Sequence, residues 1–167
     1  MDEYFLSLAL RTARRSADPA TKVGAVLVSS AGKIQALGFN RFPVQLRCTP
    51  ERLNNREEKL KRTIHAEVAA INSALRDFKD NLSGSTLFLA ATDDTGLIWG
   101  GPPCMACALQ IIEHGISNVV SLPGKPAHIP WKWRDNVAEA KEMLDEAGVN
   151  FRTVENFFPD SVKTPCE

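Results

Sequence analysis

The chain has 167 residues, 44% of them hydrophobic, which suits one well-packed domain and excludes general disorder. Lys+Arg and Asp+Glu both total 20, so the basic excess of a chain that lives on nucleic acid is missing and a small substrate is expected. No apolar run reaches the ~20 residues of a membrane span, and the acidic start Met1-Asp2-Glu3-Tyr4 is no secretory leader, so no membrane and a cytoplasmic location are expected.

Residues 2–17 carry Phe5, Leu8, Ala9, Ala13 and Ala17 at helical spacing, and Asp18-Pro19 breaks the helix. A β-branched run over 23–28, a turn at 29–32 and a second run over 34–39 read as an antiparallel pair. Residues 41–62 read as a long charged connection containing Pro43 and Pro50, with room for a short helix in 50–61. The next helix spans 65–78, with Val68, Ile71, Leu75 and Phe78 on one stripe. A strand follows over 85–91, and 92–101, with two glycines and no apolar period, reads as a loop.

Pro102 and Pro103 suit a helix start, where a missing amide hydrogen costs nothing. That helix carries Leu109, Ile111 and Ile112 and ends at His114-Gly115. A strand over 117–122, a helix over 131–147 ended by Gly148 and a fifth strand over 149–154 complete the chain. Pro130, Trp131 and Trp133 read as core or subunit contacts. The alternation predicts an α/β protein: a three-layer α/β/α sandwich around a mixed five-stranded sheet. One domain over 1–154 and a mobile tail over 155–167 are expected.

Four cysteines stand at Cys48, Cys104, Cys107 and Cys166, and the close pair reads as metal or redox chemistry rather than a disulfide framework. Two motifs matter, His65-Ala66-Glu67 and Pro103-Cys104-Met105-Ala106-Cys107. Singly, the first is common as a solvated pair at a helix start, and the second could be a redox pair or half of a zinc knuckle. Together they say more. Cys104 and Cys107, three apart on a helix, share a face and can grip one ion from a first turn whose dipole favours thiolates. His65 supplies a third ligand, and at a helix start both His65 and Glu67 can aim into one cavity.

A structural zinc closes with a fourth His or Cys, but Cys48, Cys166, His114 and His128 all lie off ligand spacing. His114 is better explained by its place at a helix C-terminus. Three ligands leave one position open, as in catalytic sites, and Glu67 is the carboxylate placed to move protons.

These residues resemble the cytidine/deoxycytidylate deaminase superfamily, most closely its deoxycytidylate branch. The resemblance covers roughly 3–154 and includes Asp18-Pro19-Ala20-Thr21-Lys22-Val23-Gly24-Ala25-Val26, Gly38-Phe39-Asn40 and Thr49-Pro50-Glu51-Arg52-Leu53 besides the metal motifs. It implies Zn2+ on His65, Cys104 and Cys107, Glu67 as the catalytic acid–base, and hydrolytic deamination of dCMP to dUMP and ammonia. It further implies that Asn40 contacts the sugar, that the Ala66 backbone holds the base, that the chain forms a homo-oligomer of two to six subunits, and that dCTP and dTTP are effectors.

Three departures bear on the substrate. Arg41 follows Asn40 where the family usually has Gly, Ala69 stands where Asn is frequent, and 92–101 lengthens the strand-to-cysteine connection. The last change brings Asp93, Asp94 and Trp99 near the metal motif, where Trp99 could stack on a base. A 5′-phosphate is expected on one or more of Lys22, Arg41 and Arg47, since a planar guanidinium matches phosphate. Asn40-Arg41 is reminiscent of tRNA adenosine deaminases, so a deaminase of another base stays open, as does a catalytically silent nucleotide-binding regulator.

Overall fold

The computed structural model describes residues 1–78, 81–124 and 131–157. β1 (Lys22–Val28) is buried on both faces from Gly24 onward, so it must lie inside a sheet that is covered on both sides. It pairs antiparallel with β2 (Ile34–Phe39) on one side and antiparallel with β3 (Thr86–Thr92) on the other. Next to β3, a two-residue strand β4 (Ile98–Trp99) pairs antiparallel with Ala91 and Thr92. β5 (Asn118–Ser121) runs parallel to β3, and β6 (Asn150–Thr153) runs parallel to β5.

The resulting order is β2-β1-β3-β5-β6, with β4 hung on the free end of β3. The sheet is mixed, as expected, but it has six strands rather than five. β4 falls inside 92–101, read from the sequence as loop, because two residues carry no period to detect.

Side chains alternate across β1, and each face meets its own layer. Val26 and Val28 pack with Phe5, Leu6, Ala9 and Leu10 of α1 (Asp2–Ala13) and with Phe88 and Val120. Ala25 and Leu27 face the other layer, built from α4 (Ala66–Ser73), α5 (Met105–Glu113) and α6 (Trp131–Glu146). Between β2 and α4 the charged connection holds two short helices, α2 (Pro50–Asn54) and α3 (Arg56–Leu60), capped by Thr49 and Asn55 and burying no residue of their own. A π-helical turn, Ala74–Phe78, extends α4.

Several boundaries differ from the sequence expectation. α1 stops at Ala13 rather than near 17, because Ser16 turns inward and its hydroxyl donates to the Asn40 carbonyl at 2.8 Å. α5 starts at Met105, past both prolines, with Cys104 as its N-cap. The core face of α4 and its π-helical extension is Ala66, Ala70, Ile71 and Ala74, whereas Leu75 of the expected stripe is exposed. Small residues win there because the helix lies directly on the sheet. A Cβ on Gly38 of β2 would sit 2.2 Å from the Ala66 carbonyl and 2.4 Å from the Ala70 nitrogen.

Trp133 is 44% exposed, so it is not a core residue of this chain. His128, Pro130, residues 158–167 with Cys166, and the side chain of Trp131 lie outside the described residues. Among the described residues, no helix is long and apolar enough to cross a membrane.

Candidate active site

Two helix N-termini meet at one end of the sheet. His65 is the N-cap of α4 and Cys104 the N-cap of α5, both with extended backbone and neither side chain capping its own helix. Their side chains are therefore left to each other. His65 Nδ1 lies 3.4 Å from Cys104 Sγ and 3.4 Å from Cys107 Sγ. One ligand atom from each residue falls within 4.8 Å of the others, the single such group of His, Cys and carboxylates among the described residues.

The donor set suits zinc. A tetrahedral zinc with one imidazole and one thiolate holds their N and S about 3.6 Å apart, close to the spacing seen here. Cys48 is exposed and outside the cluster, and His114 caps the far end of α5, so neither closes a fourth position.

The charges of the cluster are set by its own hydrogen bonds. The Cys107 thiol donates to Cys104 and, with help from His65, holds the Cys104 thiol at a pKa of about 4. Cys107, the proton holder of the pair, is pushed up by that same bond and by burial. His65 is raised chiefly by its bond to Cys104, against the opposing effect of burial, with the Glu67 charge adding to the rise. Glu67 sits in the first turn of α4, buried, and its carboxyl is raised above the usual range by burial while His65 pulls it back.

Around the cluster, the sequence-derived substrate contacts are dispersed. Asn40 is buried, and its amide is occupied by backbone: Oδ1 accepts from the Val23 N–H at 2.7 Å, and Nδ2 donates to the Thr21 carbonyl at 2.8 Å. Lys22 Nζ donates to the Ser16 carbonyl at 2.8 Å and lies 3.3 Å from the Asp94 carboxylate. Arg41 pairs its backbone with Ile64, immediately before His65, and its guanidinium donates to the Phe42 carbonyl at 3.1 Å. Ala66 is fully buried under β2, Arg47 is exposed, and Trp99 is half-buried on β4 opposite Ala91.

A cavity of about 120 Å³ is lined among others by Arg15, Asp18, Asn40, Arg41, Cys48 and Thr63, and none of His65, Glu67, Cys104 and Cys107 borders it. It brings Asn40 and Arg41 together but excludes Lys22, Arg47 and Trp99. The Arg15 guanidinium stacks over Phe39 at 4.9 Å beside it.

Two polar residues, the buried Asp18 and the largely covered Lys59, escaped the sequence reading as site-building groups. Asp18 accepts from the Ala20 and Thr21 N–H groups at 2.8 and 3.1 Å, and from Lys59 Nζ at 2.9 Å. An aspartate ahead of Pro-x-Thr is a turn signal, so Asp18 was within reach of sequence reasoning. Lys59 was not, because its partner lies far back in the chain.

Comparison with known proteins now bears on this site. The family model described as the cytidine and deoxycytidylate deaminase zinc-binding region matches residues 1–122. The chain belongs to that family. The "Probable deoxycytidylate deaminase" of Drosophila melanogaster is 34% identical over 161 residues, covering 90% of this chain and 70% of that protein. The human deoxycytidylate deaminase is 30% identical over 157 residues, covering 90% and 77%.

Among solved structures, the dCMP deaminase of cyanophage S-TIM5, in complex with dCMP and dUMP, superposes with a TM-score of 0.64 at 20% identity, covering 91% of this chain and 95% of that one. That likeness establishes the cytidine deaminase-type fold. The family is one of zinc-binding deaminases, and the His65, Cys104 and Cys107 cluster, which offers an imidazole and two thiols to one ion, is consistent with Zn2+.

Proposed function

We propose that this chain hydrolyses dCMP to dUMP and ammonia, with His65, Cys104 and Cys107 as the zinc ligands and Glu67 as the catalytic acid–base. The observation that carries the reading is the buried Glu67 carboxyl, beside but outside a three-donor cluster whose His65 Nδ1 is equally distant from both thiols. The substrate is supported by the curated relatives, which bear the name deoxycytidylate deaminase.

Zinc in such a site supplies a Lewis acid that brings the ionisation of water down to a pKa of about 7. Glu67 does the proton work of this chain. It carries one proton from the attacking water to the ring nitrogen, and then the second, from the hydroxyl now on the ring carbon, to the amino group, which leaves as ammonia as the C–N bond breaks and the carbonyl forms. Burial raises its carboxyl above the ordinary glutamate range, the direction that favours holding a proton.

Asn40, the Ala66 backbone and Trp99 hold the sugar and base in this reading, and Lys22 or Arg41 meets the 5′-phosphate. For Lys22 the phosphate has to displace Asp94, which occupies its ammonium here. The deaminase unit spans 1–154, and a cytoplasmic homo-oligomer under dCTP and dTTP control belongs to the same reading, carried by the family resemblance of 18–26 and 38–40.

Ammonia release by the zinc-loaded protein tests the proposal on dCMP, CMP, deoxycytidine and adenosine-bearing tRNA. Turnover of dCMP well above deoxycytidine is expected. Turnover of tRNA alone would keep the chemistry and discard the substrate, and silence across the panel with zinc bound would discard both.

A further inference from the structure

The sheet forks at Leu89. Up to that residue β3 pairs with β5, in the register Leu89 opposite Ser121, and from Ala91 it pairs with β4. The chain leaving β4 passes through the fork as Gly100-Gly101-Pro102-Pro103 and arrives at Cys104. Where two strands diverge, the ladder leaves inner backbone groups in need of partners.

One side chain meets that need. Ser121, completely buried, donates from Oγ to the Leu89 carbonyl at 3.1 Å and accepts the Gly101 N–H at 3.0 Å. Beside it the Gly100 N–H donates to the Pro123 carbonyl at 2.9 Å. Gly100 is seated so closely that a Cβ there would lie 2.3 Å from Ser121 Oγ and 2.5 Å from the Leu122 carbonyl oxygen. Gly101 has φ +126, a conformation that L side chains rarely adopt. The prolines that follow have fixed φ. The arm from Gly101 to Cys104 is therefore short of soft torsions, and a shift at Gly101 is handed on to the thiol.

We infer that Ser121 is a positioning residue for the metal site, setting through its two hydrogen bonds where Cys104 stands relative to His65. The inference rests on His65, Cys104 and Cys107 being the zinc ligands. Ser121 is neither a ligand nor a substrate contact in this assignment. It acts on the arm in the way that outer partners orient metal ligands elsewhere, where their loss typically weakens metal binding about 10- to 100-fold.

The test compares the parent with Ser121→Ala, Ser121→Thr and Val149→Ala, the last at the opposite end of the sheet. Zinc release to a chromophoric chelator and the visible bands of the cobalt-loaded proteins are measured in each. Ser121→Ala is expected to release zinc at least about 10-fold faster and to alter the cobalt bands. Ser121→Thr, which keeps the hydroxyl, should return toward the parent, and Val149→Ala should lower Tm without changing either metal readout.

A parental release rate and spectrum in Ser121→Ala would overturn the inference. So would equal acceleration by Val149→Ala, which would reduce the effect to general destabilisation. A parent that binds neither metal would overturn the ligand assignment and this inference together, before any variant is made. Should Ser121→Ala not fold, the Gly101 amide of the parent decides: exchange as slow as the β5 amides is expected, and loop-like exchange overturns the bond.

Discussion

Lys59 sets its ammonium 2.9 Å from the Asp18 carboxylate, with side chains only 13% and 10% exposed. The pair ties α3, at the end of the charged connection, to the turn that launches β1. Asp18 holds two backbone N–H groups as well, so its removal strands three donors at once. Asp18→Ala is expected to destabilise the fold by about 3 kcal/mol in urea unfolding, and Lys59→Met by less, since the turn keeps its acceptor. Equal losses for the two would mean that the backbone bonds contribute nothing.

Asn40 is as much a structural clasp as a candidate sugar contact. Its amide bridges the Thr21 carbonyl and the Val23 N–H, and its own carbonyl takes the Ser16 hydroxyl. Asn40→Asp would turn a carboxylate oxygen toward the Thr21 carbonyl. The expected result is a stability loss of about 1–3 kcal/mol together with a fall in kcat as well as a rise in KM. A rise in KM alone, at unchanged stability, would make Asn40 a substrate contact only.

Gly38 lets α4 lie on β2, and the first residues of that helix carry the site. Gly38→Ala would drive a methyl into the Ala66 carbonyl and the Ala70 nitrogen, both of them backbone that cannot swing away. The helix start must lift, taking His65 and Glu67 with it. A loss of about 100-fold in kcat/KM is expected from a displacement of this kind, with a lowered Tm. Steady-state kinetics on the zinc-loaded variant checks it.

Burial raises the Glu67 carboxyl, and this makes the metal-free fold sensitive to pH. A carboxyl with a raised folded pKa binds its proton more tightly in the fold than in the unfolded chain. Stability therefore falls as pH rises from the ordinary glutamate range through the raised value, then stays at the lower level. Glu67→Gln removes that titration. Metal-free Glu67→Gln should melt above the parent at pH 8, and the two should converge below about pH 4. In activity assays the same variant should fall by a factor of roughly 10²–10⁴ while keeping its zinc.

Much of the fold was legible in residue order, for local reasons. The runs over 23–28 and 34–39 are strands within a residue of their expected ends, because β-branched side chains and a Gly-containing turn act over a few positions. Gly148, with φ +73, follows α6 as a helix-terminating glycine should. The spacing of His65, Cys104 and Cys107 marked side chains that the structure gathers in one cluster, since residue type and interval are properties of the chain itself.

What residue order could not supply were relations between distant elements. Val68 and Leu75 look like the core stripe of α4, yet the alanine face is buried, because Gly38 on another strand lets the helix approach that side. Lys22 and Arg47 look alike as basic residues, but one is clamped by Ser16 and Asp94 while the other is exposed. By itself the sequence determined the principal elements (β4 excepted), the sheet class and the candidate donor set, all written in local torsions and side-chain chemistry. Only the tertiary structure decided that two helix N-caps would meet, that Lys59 would be buried on Asp18, and that Ser121 would sit in the fork behind Cys104. Those pairings depend on which surfaces close on each other, and no period along one segment encodes the segment that will cover it.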